Sequence, residues 1–501
     1  MTGNSQVPIS MPATADQDGS REKKRGGVFF GGPLSAMLLS LCFLEQDGVL
    51  QRTIPWFGLL PLFISLDRHR HNLKWRLLHG LFFGFILYCW PLVLSGDWNK
   101  TSILATAWAS LPMIGSWMLF CAVGGVLLRK PSRLAIVPGL ALAWTGIEYL
   151  RVECIPLAGP WMQLGQALKP ENPEGQLAAA IGLTGLGFAL CLVNGTFFLA
   201  LRERRGRVQF FATLVGTGAA ISLLSIGGFI GAMLRYLEHP PREALRIGLV
   251  QTDDGGSEDH LKLARQLLSS EPQLIFFPAD AFAARPDSQP GIQTELETFA
   301  REENVTLVAS MILESNSEGD RSRTLLHIAK GGGRGERGRG GVMAIDIKED
   351  QSILAVSDRI SHSACHMRRL AASGARLFLV AGDGTQKGID NDPLRNRLLA
   401  FRALETGTCI CRATSNGSSA IVNNTGARRT LAPRNQAWAS VSSVPLRDPR
   451  RGITYFVAGG WLLGPGCLVL LGILLFLELY RLRKNSAERG NTRPQDSARP
   501  S

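Results

Sequence analysis

Uncharged, apolar stretches recur through the first half of this chain and once more near its end. Charge is distributed unevenly in the short polar connections between them. The candidate spans are 28–45, 53–66, 77–96, 103–128, 133–150, 176–202, 209–236 and 454–481. A helix needs ~20 apolar residues to cross a bilayer. The second span is short on that rule, and the fifth carries Glu148 and Arg151 near its end. With the N-terminus inside, the inside connections hold Asp67 to His71 and on to Arg76, Arg129 to Arg133, and Arg202 to Arg207. The last inside segment begins Arg481-Leu482-Arg483-Lys484, whereas the outside connections Glu45 to Arg52 and Ser95 to Lys100 hold little positive charge. Positive charge collects at the cytoplasmic ends of membrane helices. The expectation is therefore eight spans with both termini cytoplasmic.

Composition agrees with that reading. The chain is 45% hydrophobic and 19% charged, and its mean hydropathy of +0.09 is high for a soluble protein. A net charge of +13 can mark a nucleic-acid binder. Here much of it follows the membrane topology, so no nucleic-acid partner is expected. Residues 1–27 are polar and end in Arg21-Glu22-Lys23-Lys24-Arg25, a basic cluster ahead of a retained first helix. They are expected to form a disordered cytoplasmic tail, as are residues 484–501. Residues 28–236 are expected to form a bundle of about seven spans, and 452–483 the last membrane helix.

Residues 243–447 have no long apolar run. Short β-rich runs alternate with amphipathic stretches there, the pattern of one α/β domain, which the charge bias puts on the extracytoplasmic side. Strands are expected at Ala244–Gln251, Gln273–Phe277, Thr306–Ser310, Leu325–Ile328, Ile353–Val356, Leu377–Ala381, Cys409–Ala413 and Ser419–Val422. Helices are expected at Leu261–Leu268, Gln293–Glu303, Cys365–Ser373 and Arg395–Thr406. The stretch Ser352–Arg359 is a buried strand running out into Ser357, Asp358 and Arg359, where α/β folds commonly hold their chemistry. Gly331–Gly341 (GGGRGERGRGG) reads as a flexible loop touching anionic lipid head groups. Cys409 and Cys411 point to one face of a strand, so they do not pair with each other. His362, Cys365 and His366 would share a helical face, but no fourth metal ligand stands near them, and they read as ordinary helix residues.

Two regions resemble the bacterial apolipoprotein N-acyltransferase family. The first holds Trp144, Glu148, Arg151, Gly159-Pro160-Trp161, Gly165, Pro170, Gln176, Gly182 and Asn194. The second runs from Leu399 to Gly407 (LAFRALETG) and from Arg412 to Ser419 (RATSNGSS). The resemblance implies a membrane helical bundle carrying a nitrilase-like (carbon–nitrogen hydrolase) α-β-β-α sandwich. It also implies transfer of an acyl chain from a phospholipid to the N-terminal amine of a lipid-modified cysteine. That chemistry uses a Cys nucleophile, a Glu base and a Lys at the oxyanion, with no cofactor and no metal.

This sequence departs from the family at all three positions. The family's Glu follows the Pro that ends the second strand, but here Pro278 is followed by Ala279, with the shorter Asp280 one residue on. The Cys position aligns with Ser357. The family's Lys segment has no counterpart, and the Arg-Gly stretch occupies about its place. A serine hydroxyl depends on a base more than a thiol does, and Ala279 supplies none. Asp280 or Asp358 would have to substitute. Asp358 and Arg359 read instead as a structural or solvated pair, Glu405 as a core brace, Arg402 and Arg412 as partners of nearby acids, and Trp144 and Trp161 as interfacial anchors. Three readings follow: an acyltransferase with a Ser-based site, a catalytically silent family member that binds phospholipid or lipoprotein N-termini, and an unrelated transporter. The residue chemistry favours the silent member.

Overall fold

The structure, a computed structural model, describes residues 30–43, 48–95, 100–129, 133–155, 159–203, 207–238, 243–252, 256–279, 281–284, 291–314, 321–332, 336–338, 341–346, 352–382, 392–415, 417–448 and 453–491. Apolar sequence in the first half becomes helix: α1 (Gly31–Leu41), α2 (Val49–Thr53), α3 (Leu60–Arg68), α4 (Leu73–Ser95), α5 (Lys100–Leu127), α6 (Arg133–Tyr149), α7 (Ala178–Glu203) and α8 (Arg207–Glu238). Among the described residues, five helical segments are long and apolar enough to cross a membrane: Val49–Arg68, Ser110–Leu127, Gly175–Arg202, Val215–Leu234 and Gly460–Arg481.

Small residues let these helices approach closely. Gly80 and Gly84 of α4 face α5, where a Cβ on Gly80 would lie 2.6 Å from the Met118 Cα and one on Gly84 2.9 Å from the Ile114 Cα. Trp144 is buried and lies against Trp117, with ring centroids 4.3 Å apart and planes tilted by 39°. Its indole thus lies inside the bundle, contrary to the interfacial role expected from sequence, because α5 and α6 close over it. Asn194 is a polar residue in an apolar helix for a local reason. It accepts from the Leu59 N–H (2.9 Å) and donates to Pro55 O (2.9 Å), satisfying the turn ahead of α3.

The second half builds two sheets. The strands are β1 (Ala244–Gln251), β2 (Leu274–Phe276), β3 (Phe282–Ala284), β4 (Thr306–Glu314), β5 (Arg321–Ile328), β6 (Glu336–Gly338), β7 (Val342–Asp346), β8 (Ser352–Ser357), β9 (Leu377–Ala381), β10 (Cys409–Ala413), β11 (Ala420–Val422), β12 (Arg428–Leu431) and β13 (Trp438–Pro445). The helices are α9 (Ser257–Leu267), α10 (Gly291–Glu302), α11 (Asp358–His362), α12 (Ala364–Ala372) and α13 (Asp392–Thr406), followed by α14 (Tyr455–Ala458) and α15 (Leu463–Asn491). One sheet has the order β13-β1-β2-β4-β5-β6, with β3 beside β4; the other has the order β12-β11-β10-β9-β8-β7.

Alternation along each strand divides the side chains between two layers. Leu274, Phe276, Ile353, Ala355, Leu377, Leu379, Cys409 and Cys411 meet between the sheets. Ile275 and Leu307 turn outward onto Leu261, Ala264, Leu296 and Phe299 of α9 and α10. Val356, Phe378, Val380 and Ile410 turn outward onto Met367, Leu399, Ala400 and Ala403 of α12 and α13. The result is an α-β-β-α sandwich.

Helix α13 is apolar on two faces. Leu399, Ala400 and Ala403 pack on the sheet, while Leu394, Leu398, Phe401 and Leu404 belong to the core of the helical bundle. It joins the two halves of the molecule. The Gly331–Gly341 segment also differs from expectation. Glu336–Gly338 is a strand, pairing antiparallel with Leu325–His327. Its backbone supplies the ladder, and composition does not register that.

Candidate functional site

The strand ends after β2, β8, β9 and β10 gather at one edge of the sandwich. Strands β8 and β9 are parallel, with Ser357 opposite Ala381. The next residue, Gly382, accepts from the Ala279 N–H at 3.3 Å, and Ala279 O accepts from Ser415 Oγ at 3.3 Å. Ser357 and Ala279, far apart in sequence, thus flank the end of β9. Ala279 is buried in the inter-sheet core. Asp280 lies outside the described residues.

Ser357 is both the last residue of β8 and the residue ahead of α11. Its N–H donates to Gly341 O at 2.8 Å. Among the described residues, its hydroxyl has no hydrogen-bond partner. A serine nucleophile needs an acceptor for its proton, and no described side chain is placed to be one.

Asp358 differs from expectation. Helix α11 begins at this residue and turns Arg359 to the surface, so the two do not pair. The Asp358 carboxylate, 3% exposed, instead faces Arg395 Nη1 at 3.1 Å, His362 Nε2 at 3.5 Å and Arg412 Nε at 3.8 Å. Arg412 also donates to Asn396 Oδ1 at 3.2 Å. Burial by itself would raise the Asp358 carboxyl. His362, Arg412 and Arg395 outweigh it and hold the group well below the usual carboxylate range. A carboxylate held this way is a weak base and an anchor for its neighbours.

The three possible metal ligands do not share a helix. Ser363 (φ −82°, ψ 121°) breaks the chain between α11 and α12, leaving His362 on one side and Cys365 and His366 on the other. No group of three candidate metal ligands occurs among the described residues. The His362 ring lies edge-on to Trp161, 4.9 Å between centroids.

Arg402 and Glu405 form a buried pair on α13. Arg402 donates to His362 O at 3.0 and 3.2 Å. Glu405 Oε1 accepts from the Leu183 N–H at 2.7 Å. Gly182 interrupts α7 with φ 70° and ψ 175°, which leaves the Leu183 N–H without a helical partner. Glu405 therefore braces the bundle as well as the sandwich. Arg397, which sequence reading passed over, reaches Cys42 O (2.8 Å) and Gln166 O (3.3 Å). Two basic residues near the start of an amphipathic helix carry no signal that they point into a membrane bundle.

A family model for the apolipoprotein N-acyltransferase N-terminal domain matches residues 35–196. The chain is 25% identical over 478 residues to an apolipoprotein N-acyltransferase of Gloeobacter violaceus, spanning 84% of this chain and 89% of that one. It is 21% identical over 532 residues to an apolipoprotein N-acyltransferase of Shewanella oneidensis, spanning 90% and 97%. Among solved structures it is similar to the amidase from Nesterenkonia sp. AN1, with a TM-score of 0.35 and 17% identity, covering 43% of this chain and 96% of that one. A variant of that amidase, described as from the nitrilase superfamily, gives 0.35 and 18%, covering 44% and 95%.

Proposed function

We propose that this chain, related by sequence to the apolipoprotein N-acyltransferases along most of its length, binds phospholipid or lipoprotein N-termini without transferring an acyl chain. In this reading it is a multi-pass protein of the bacterial cytoplasmic membrane, with eight spans, both termini cytoplasmic and the sandwich outside. The connections rich in Arg and Lys support that orientation. Ser357 stands at the nucleophile position and Ala279 at the base position, with Asp280, next in sequence to Ala279, the acid the sequence offers as a substitute.

One observation carries the silent reading: the Ser357 hydroxyl lacks an acceptor among the described residues, beside a buried alanine where a base would act. The neighbouring carboxylate, Asp358, is engaged by two arginines and a histidine. Fold alone does not license activity; the site does.

Complementation tests this. The protein is expressed in a bacterium depleted of its own N-acyltransferase, and lipoprotein N-termini are read by mass spectrometry. The expected result is diacylated product only, with phospholipid or lipoprotein co-purifying with the protein. Triacylated product that disappears in Ser357→Ala would overturn the reading.

A further inference from the structure

We infer that the loop Gly159–Leu168 is a positioning segment for the Ser357 end of the sandwich, latched from within the bundle by Glu148 and Arg151. Both latch residues are fully buried, at the end of α6 and in the π-helical turn Leu150–Cys154 that follows it. Arg151 Nη1 donates to Gly159 O at 3.1 Å and to Trp161 O at 3.0 Å. Glu148 Oε1 accepts from the Leu164 N–H at 2.8 Å. The loop also closes on itself. The Gln163 N–H donates to Gln166 Oε1 (3.2 Å), and Gln166 Nε2 donates to Pro160 O (3.0 Å).

This bonding holds the backbone in a conformation it would not choose freely. Met162 is buried with φ 56°, a region that costs a non-glycine residue energy unless its surroundings impose it. The imposed turn presents the Trp161 ring to His362, whose imidazole contacts Asp358, the residue after Ser357. A second tie leaves the same π-turn, where Glu153 Oε2 accepts from Ser363 Oγ at 3.2 Å. From the sandwich side, Arg397 donates to Gln166 O. Buried ionisable side chains in an apolar bundle ordinarily mark function. Here Arg151 also reaches Met113 Sδ and the Trp117 ring on α5, but the backbone bonds of both residues go to the 159–168 loop, and that loop touches the charged cluster beside Ser357.

Glu148, Arg151 and Trp161 are thus positioning residues for the site, an inference resting on the reading that ligand meets the chain at the Ser357 end. Hydrogen exchange on the full-length protein in nanodiscs tests it without needing that ligand. Trp161→Ala should speed exchange of the backbone at 358–366 by about 2- to 10-fold, the scale of one lost aromatic contact. Trp161→Phe should restore the slow rate. Arg151→Met should speed both 159–168 and 358–366, whereas Glu148→Gln, which keeps an acceptor for Leu164, should speed neither. Strands β1 and β2 and helix α9 should be unchanged in every variant. Unchanged exchange at 358–366 in Trp161→Ala, or loosening of 159–168 alone in Arg151→Met, overturns the inference. If Arg151→Met does not fold, the Trp161 pair decides. Failure of the wild type to bind phospholipid would overturn the proposed function and leave these rates untouched.

Discussion

Removing the Asp358 carboxylate would take away the buried negative charge that Arg395 and Arg412 both face. Breaking a buried ion pair from one side typically costs about 3–5 kcal/mol. Asp358→Asn should destabilise the sandwich on that scale, read from denaturant or thermal unfolding, although the substitution keeps the shape. The acid limb of stability should change with it. A carboxyl held below its unfolded value near 3.8 stabilises the fold above that pH and loses the contribution as pH falls through the folded value. The wild type should therefore weaken further on acidification than Asp358→Asn does, and equal acid slopes would count against the charge cluster. Sequence adjacency suggested Arg359 as the partner of Asp358. The helix that starts there turns Arg359 outward and brings His362 round one turn, while α13 and β10 supply the arginines. The sequence offered Asp358 only as half of a structural or solvated pair with Arg359; its burial and its actual partners were not legible.

At the scale of elements, α13 and the broken helix α7 do most to define the molecule. The mixed apolar faces of α13 gave it a weak amphipathic signal, and its role as a two-sided connector emerged only once sheet and bundle were both in place. Gly182 shows the same dependence. Its φ of 70° with ψ of 175° is open almost only to glycine, and a Cβ there would collide with the Phe456 ring and lie 3.3 Å from Glu405 Oε1. Gly182→Ala should cost about 2–4 kcal/mol through strain and overpacking together and lower Tm measurably in detergent. Gly216→Ala on α8, where nothing lies within 4 Å of an added Cβ, should leave Tm within a degree or two. Equal effects at the two sites would argue against the break in α7 as a built junction. Strand β13 was missed because its serines leave it half-buried along most of its length, so it lacks the apolar run that marks an interior strand.

For the whole molecule, orientation is the property with the widest consequences. Cys154 is exposed, Cys365 is half-buried, and the thiols of Cys42, Cys121, Cys191, Cys409, Cys411 and Cys467 are buried. A membrane-impermeant maleimide added to cells with a permeabilised outer membrane should label Cys154 if the sandwich lies outside. Labelling that requires lysis would reverse the topology.

The spacing of apolar spans and the sidedness of Arg and Lys determined, from sequence alone, that this chain combines a helical bundle with an α/β unit, because burial of apolar surface and placement of charge are properties of composition along the chain. Periodicity located most of the interior strands for the same reason. Only tertiary structure decided that Ser357 and Ala279 flank one strand end, that Asp358 is claimed by Arg395 and Arg412, and that Glu405 satisfies a backbone donor in a broken membrane-type helix. Those facts depend on which surfaces meet, and residues 37 to 222 positions apart carry no local trace of the contact.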